Sequence, residues 1–151
     1  MTSSTDERTP DERNLRRVRL RWTGRDMVFE GRPEAGGPSV IADGGSKEGL
    51  APMQLLLVSL AGCMAVDIRM ILEKSRVPLD GLEIEVVGER APEPPRRYLR
   101  IDMICHLRGP AAEHADRVQR AIDLSRDKYC SVLHTLDPGI ALDVRPAARA
   151  A

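Results

Sequence analysis

The residues with the clearest chemical potential in this chain are its three cysteines, Cys63, Cys105 and Cys130. Each carries a thiol whose anion can serve as nucleophile or metal ligand. None belongs to a C-x-x-C pair, and an odd number in a reducing compartment favours free thiols over a disulfide scaffold. Cys63 sits in "SLAGCMAVD", where small residues precede it and leave room for another group. Asp67 follows one helical turn later, an ionisable side chain in an apolar setting that must find a partner. Two readings of Cys63 stand on these residues alone, an inert core thiol and a reactive one. Cys105 lies on the apolar face of an alternating segment and reads as a small hydrophobe filling a core. Cys130 lies at the end of a helical segment in "DKYCSVLHTL". Cys130 and His134 have the i, i+4 spacing of metal ligands, but no second ligand pair accompanies them, so no metal site is expected. His106 and His114 read as surface residues.

The elements that must position these thiols follow from patterning. A chain of 151 residues is long enough to bury one core and is read as a single domain over residues 15–146, preceded by a flexible polar tail over 1–14. "RRVRLRW" alternates, with Val18, Leu20 and Trp22 on one face, and predicts a half-buried strand. The "TGRD" turn leads to a second strand in "MVFEG", and a third lies in "PSVIAD". "GGSKEG" reads as a flexible connector that delivers the chain to Pro52, a good first residue for a helix. That helix runs through "PMQLLLVSLAGCMAVDIRMILEKSRV" and stops before Pro78. "LEIEVVGER" and "YLRIDMICHLRG" alternate and predict an antiparallel hairpin. "AAEHADRVQRAIDLSRDKYC" predicts an amphipathic second helix, and "GIALDV" a last strand. The order βββ-α-ββ-α-β defines an α+β protein, with antiparallel sheets around a central buried helix.

Composition excludes several function classes. Lys+Arg and Asp+Glu are 23 each, so no net charge draws the chain to nucleic acid or an anionic membrane. Aromatics are 3% of residues, too few for a base-stacking platform. "MTSSTDERTPDERNLRR" has no apolar run after its charges, so no signal peptide is expected and the cytoplasm is the default location. The first helix is apolar all round at its start, yet Asp67 and Arg69 interrupt it before the ~20 residues a membrane span needs. It reads instead as a core helix with apolar surface left over for a second subunit, in a homodimer, the other reading being a monomer in which this helix is central.

Taken together, "PMQLLLVSLAGCMAVDI", "LEIEVVGERAPEPPRRYLRIDMICHLRG" and "LSRDKYCSVLHTL" resemble the OsmC/Ohr family of thiol-dependent peroxidases, and most nearly its YhfA-like branch. The resemblance covers residues 17–144. It implies the OsmC-like fold and an intertwined homodimer with two sites at the subunit interface. It gives Cys63 the part of peroxidatic cysteine and Cys130 that of resolving cysteine, with Arg25 of "TGRD" as the arginine that reaches the neighbouring protomer's Cys63. It implies organic hydroperoxides as substrates, an external dithiol as reductant, and no bound cofactor. The chain departs from the family's efficient peroxidases just after Pro52, where they carry a glutamate that holds the arginine. Here Met53 and Gln54 stand there, and Glu48 in the connector is the nearby carboxylate. The same resemblance leaves room for a non-catalytic protein of this fold that binds a small hydrophobic ligand, or one that senses redox state.

Overall fold

The computed structural model describes residues 9–149. Residues 1–8 of the expected tail lie outside the described residues. Within its remainder, Glu12–Asn14 form a 3-10 turn whose first N–H groups are capped by Asp11. The chain forms two compact units that divide between Pro52 and Met53.

The first unit is a three-stranded antiparallel sheet of β1 (Val18–Trp22), β2 (Val28–Pro33) and β3 (Val40–Asp43), in that order. β1 alternates as its sequence requires, but it is exposed along its whole length, Val18 at 80% and Trp22 at 57%. The expected half-burial of this strand is therefore absent within one chain. The "TGRD" turn is closed by Thr23, whose N–H and hydroxyl both donate to the Val28 carbonyl, and by Val28 N–H donating to Arg25 O. The "GGSKEG" connector is not a free linker. Asp43 is buried, and its carboxylate accepts from the backbone N–H groups of Gly45, Lys47 and Glu48 at 2.7, 2.9 and 2.9 Å. Those three bonds favour the anion and hold its carboxyl below the ordinary range. Gly49 then passes so near the Ile41 carbonyl that a Cβ would lie 2.5 Å from its oxygen, so only glycine fits.

The second unit carries the core. Its spine is α1 (Pro52–Lys74), which Pro52 begins in the unit before. Leu60, Met64, Ile68 and Leu72 recur every fourth residue and are fully buried. Each such side chain removed from water is worth roughly 1.5–3 kcal/mol. By length and composition alone α1 could cross a membrane. In the folded chain its buried row packs in one core with Ile101, Met103 and Ile122 instead. The opposite side of α1 stays open, with Val58 at 55% and Val66 at 59% exposure. The helix ends when Arg76 turns to φ 55° and Val77 N–H reaches back to the Leu72 carbonyl, a Schellman closure just before Pro78.

β4 (Gly81–Arg90) and β5 (Tyr98–Arg108) form the expected antiparallel hairpin, with Leu82, Ile84 and Val86 facing inward opposite Leu107, Cys105 and Met103. Gly88 lies under the buried Tyr98 ring, where a Cβ would come within 2.4 Å of it. The Tyr98 hydroxyl donates to the Met53 carbonyl at 2.6 Å and so pins the start of α1. β6 (Ala141–Pro146) pairs with β5 in parallel, a departure from antiparallel sheets throughout. The helical crossover between β5 and β6 explains it, since such a connection returns the chain in the same direction. The expected second helix is also divided. A 3-10 turn (Ala112–His114) opens α2 (Ala115–Leu124), a π-helical turn follows over Ser125–Tyr129, and α3 (Ser131–Thr135) begins anew. The α+β class and the strand and helix order stand as expected.

Candidate functional site

Two elements of the second unit bring the site together. On α1, Cys63 and Asp67 are one turn apart and so share a face. Opposite them, the π turn after α2 sets the position of Cys130. Its N–H closes the wide turn by donating to the Ser125 carbonyl at 2.9 Å. Cys130 then leaves the helical conformation, at φ −67° and ψ 99°, and caps α3, whose Leu133 N–H donates to its sulfur at 3.4 Å. An uninterrupted α-helix would carry Cys130 to a different azimuth, and π turns of this kind recur at functional sites.

The result is a cluster in which the Cys63 Sγ, the Cys130 Sγ and an Asp67 carboxylate oxygen all lie within 4.8 Å of one another. Asp67 has the partner its setting demanded: Ser125, fully buried, donates its hydroxyl to Asp67 Oδ2 at 2.9 Å. The two thiols differ in access. Cys63 is partly exposed and Cys130 is fully buried. Burial pushes the Cys130 thiol up to about 11, with Cys63 and Asp67 adding to the rise and the Leu133 N–H opposing it. Cys130 is thus a protonated thiol waiting beside a more accessible one.

Sequence reasoning singled out Cys63, Cys130 and Arg25. The structure brings the two cysteines together. Arg25 is on the surface of the first unit, where its Nη2 lies 2.8 Å from Glu48 Oε2. Glu48, whose N–H is held by Asp43, is therefore the carboxylate partner of this arginine where the chain has Met53 and Gln54. Cys105 is buried in the core, its thiol pushed up to about 11 by burial, as the filler reading requires. His134 Nδ1 lies 2.8 Å from the Cys130 carbonyl oxygen, and neither ring nitrogen joins the group of ligand atoms that gathers at the Cys130 sulfur. His106 is exposed, whereas His114 is partly buried, its Nδ1 accepting from Ala111 N–H. Ser125 and Asp43 were missed. Ser125 carried no signal in the sequence. Asp43 did, because an aspartate directly before "GGSKEG" is placed to accept from the N–H groups that follow it.

The chain is thus a mixed α+β fold with a cysteine on its central helix, facing a second across a helix break. The family model for OsmC-like proteins matches residues 44–145, and the chain belongs to this family. It is 33% identical over 124 residues to protein YhfA of Escherichia coli strain K12, across 82% of this chain and 90% of that one. A hypothetical protein from Aquifex aeolicus VF5 has the same fold at a TM-score of 0.76, with 28% identity, covering 89% of this chain and 96% of that one. A more distant fold likeness, TM-score 0.62 at 13% identity over 89% of this chain and 97% of that one, is to an organic hydroperoxide resistance protein OsmC from Legionella pneumophila.

Proposed function

We propose that this OsmC-like protein is a thiol-dependent reductase of organic hydroperoxides, with Cys63 as peroxidatic and Cys130 as resolving cysteine. The observation that carries this reading is the approach of the two sulfurs to within 4.8 Å, from elements far apart in sequence. Cys63 is the more accessible and meets the substrate first. Its thiolate attacks the distal peroxide oxygen, the O–O bond breaks, and the alkoxide leaves as an alcohol after taking a proton. Cys63 is left as a sulfenic acid. The Cys130 sulfur then attacks the Cys63 sulfur, and its proton leaves with the sulfenic hydroxyl as water. Burial suits Cys130 to this second step, because a thiol held protonated neither reacts with peroxide first nor is lost to over-oxidation. The disulfide that results is opened by an external dithiol through exchange. No bound cofactor enters this cycle, and a reducing cytoplasm would supply the dithiol.

Arg25 is assigned the stabilising cation, with Glu48 holding its guanidinium in place of the glutamate that the family's efficient members carry. Leucine and methionine around Cys63 favour an alkyl hydroperoxide over hydrogen peroxide. The active form is assigned as a homodimer, which two exposed apolar faces support. One is formed by Val18, Leu20 and Trp22 on the first unit, the other by Val58, Val66 and Met70 on α1.

The test is consumption of cumene or tert-butyl hydroperoxide with dihydrolipoamide as reductant. Wild-type protein is expected to turn over, Cys63→Ser to lose activity to background, and Arg25→Met to lose at least tenfold in kcat/KM. Wild-type turnover no faster than that of Cys63→Ser would sink the proposal.

A further inference from the structure

We propose that the reduced protein binds one zinc-class divalent cation per chain between Cys63, Cys130 and Asp67. Three ligand atoms of the right types, two sulfurs and a carboxylate oxygen, converge within 4.8 Å of one another without any metal to draw them together. Around a tetrahedral zinc, Zn–S near 2.3 Å and Zn–O near 2.1 Å put ligand atoms about 3.6–3.8 Å apart. The cluster therefore needs a contraction of at most about 1.2 Å, within reach of small side-chain rotations. The acid is already oriented, because the buried Ser125 hydroxyl donates to Asp67 Oδ2, the kind of outer contact that aims a metal-binding carboxylate.

Binding is a balanced exchange, in which the ion takes two thiolates and one carboxylate and the thiol protons go to solvent. Two thiolates and one carboxylate select a borderline-soft ion over magnesium or calcium, and three protein ligands leave one tetrahedral position open. His134 is not part of the set, since among the described residues only Cys63, Asp67 and Cys130 bring ligand atoms within 4.8 Å of one another.

Metal binding and disulfide formation exclude each other, because both use the same two sulfurs. Diamide, which takes two electrons and two protons from a thiol pair, is expected to release the ion as the disulfide forms. This inference stands on the geometry of the reduced cluster and does not require peroxidase activity.

The experiment is titration of reduced, chelator-treated full-length protein with Co²⁺, read by sulfur-to-cobalt charge transfer and the intense visible bands of tetrahedral cobalt, followed by displacement with Zn²⁺. One equivalent per chain is expected, with the charge-transfer band absent in Cys130→Ser and in Cys63→Ser and intact in Cys105→Ser and His134→Ala. Asp67→Asn is expected to weaken Zn²⁺ binding at least about tenfold, as loss of supporting metal contacts does. Circular dichroism identifies any variant that fails to fold, and Cys63→Ser at the partly exposed position is the fallback for the buried Cys130→Ser. Absence of the band in wild type, its survival in both cysteine variants, or unchanged affinity in Asp67→Asn would each overturn the site. Hydroperoxide turnover measured on the same metal-free protein separates this outcome from failure of the peroxidase reading.

Discussion

At the scale of single residues, the division of labour proposed for Cys63 and Cys130 rests on burial. Both are thiols, but only Cys63 is reachable from solvent, and burial holds Cys130 as the neutral form. Burial raises the Cys130 thiol well above the ordinary range, so little of it is thiolate near neutral pH. Brief alkylation of the folded, reduced protein with iodoacetamide is therefore expected to label Cys63 and to spare Cys130 and Cys105, as read by peptide mass mapping. Equal labelling of Cys63 and Cys130 would contradict the assignment of their parts. The sequence made both cysteines visible, and family context more than pattern distinguished them from Cys105. What it did not reveal was Ser125, an unremarkable serine in "DLSRDK" that becomes the buried hydroxyl donor to Asp67 only because the helix widens there.

At the scale of elements, the strands were legible because period-two alternation maps directly onto the two faces of a sheet. The inward set Ile101, Met103 and Cys105 on β5 is the one the alternation gives. The break of the second helix was not legible, since a single π turn leaves no periodic trace in so short an amphipathic run. The direction of β6 is a property of its connection rather than of its own residues. The connector before α1 was misread as flexible because its glycines and polar residues look the same whether or not an acid caps them. Asp43 makes it rigid, and this has a pH signature. The carboxyl is depressed in the folded state, so its stabilisation is present above the ordinary carboxylate pKa and is lost as pH falls through the lowered value. Asp43→Asn is expected to lower the urea midpoint at pH 7 and to flatten its decline as pH falls from about 5 through the ordinary aspartate value near 3.9 and below it. A variant as stable as wild type at pH 7, with the same acid profile, would remove Asp43 from this role.

At the scale of the whole molecule, two faces stay apolar and open in the single chain, one on the first sheet and one on α1. The sequence foreshadowed the second, because the start of α1 has apolar residues in every direction and one small sheet covers only one side. It misjudged the first, since alternation in β1 reports a face that wants burial and cannot say whether the same chain buries it. The proposed homodimer would cover both. Sedimentation is expected to give a dimer for wild type, and Val66→Glu, on the open side of α1 away from the buried Leu60–Leu72 row, to shift it toward folded monomer. A monomeric wild type would leave those faces without an occupant.

One accessible and one buried thiol are proposed to work as a pair, and peptide mapping after one equivalent of organic hydroperoxide, without reductant, reads that pairing. A single intrachain or interchain link joining Cys63 to Cys130, with one equivalent of peroxide consumed per pair, is the predicted result. The sulfurs need to close by less than about 3 Å to form that bond. Protein that consumes no peroxide, or that accumulates sulfinic acid at Cys63 while Cys130 stays a free thiol, would contradict it.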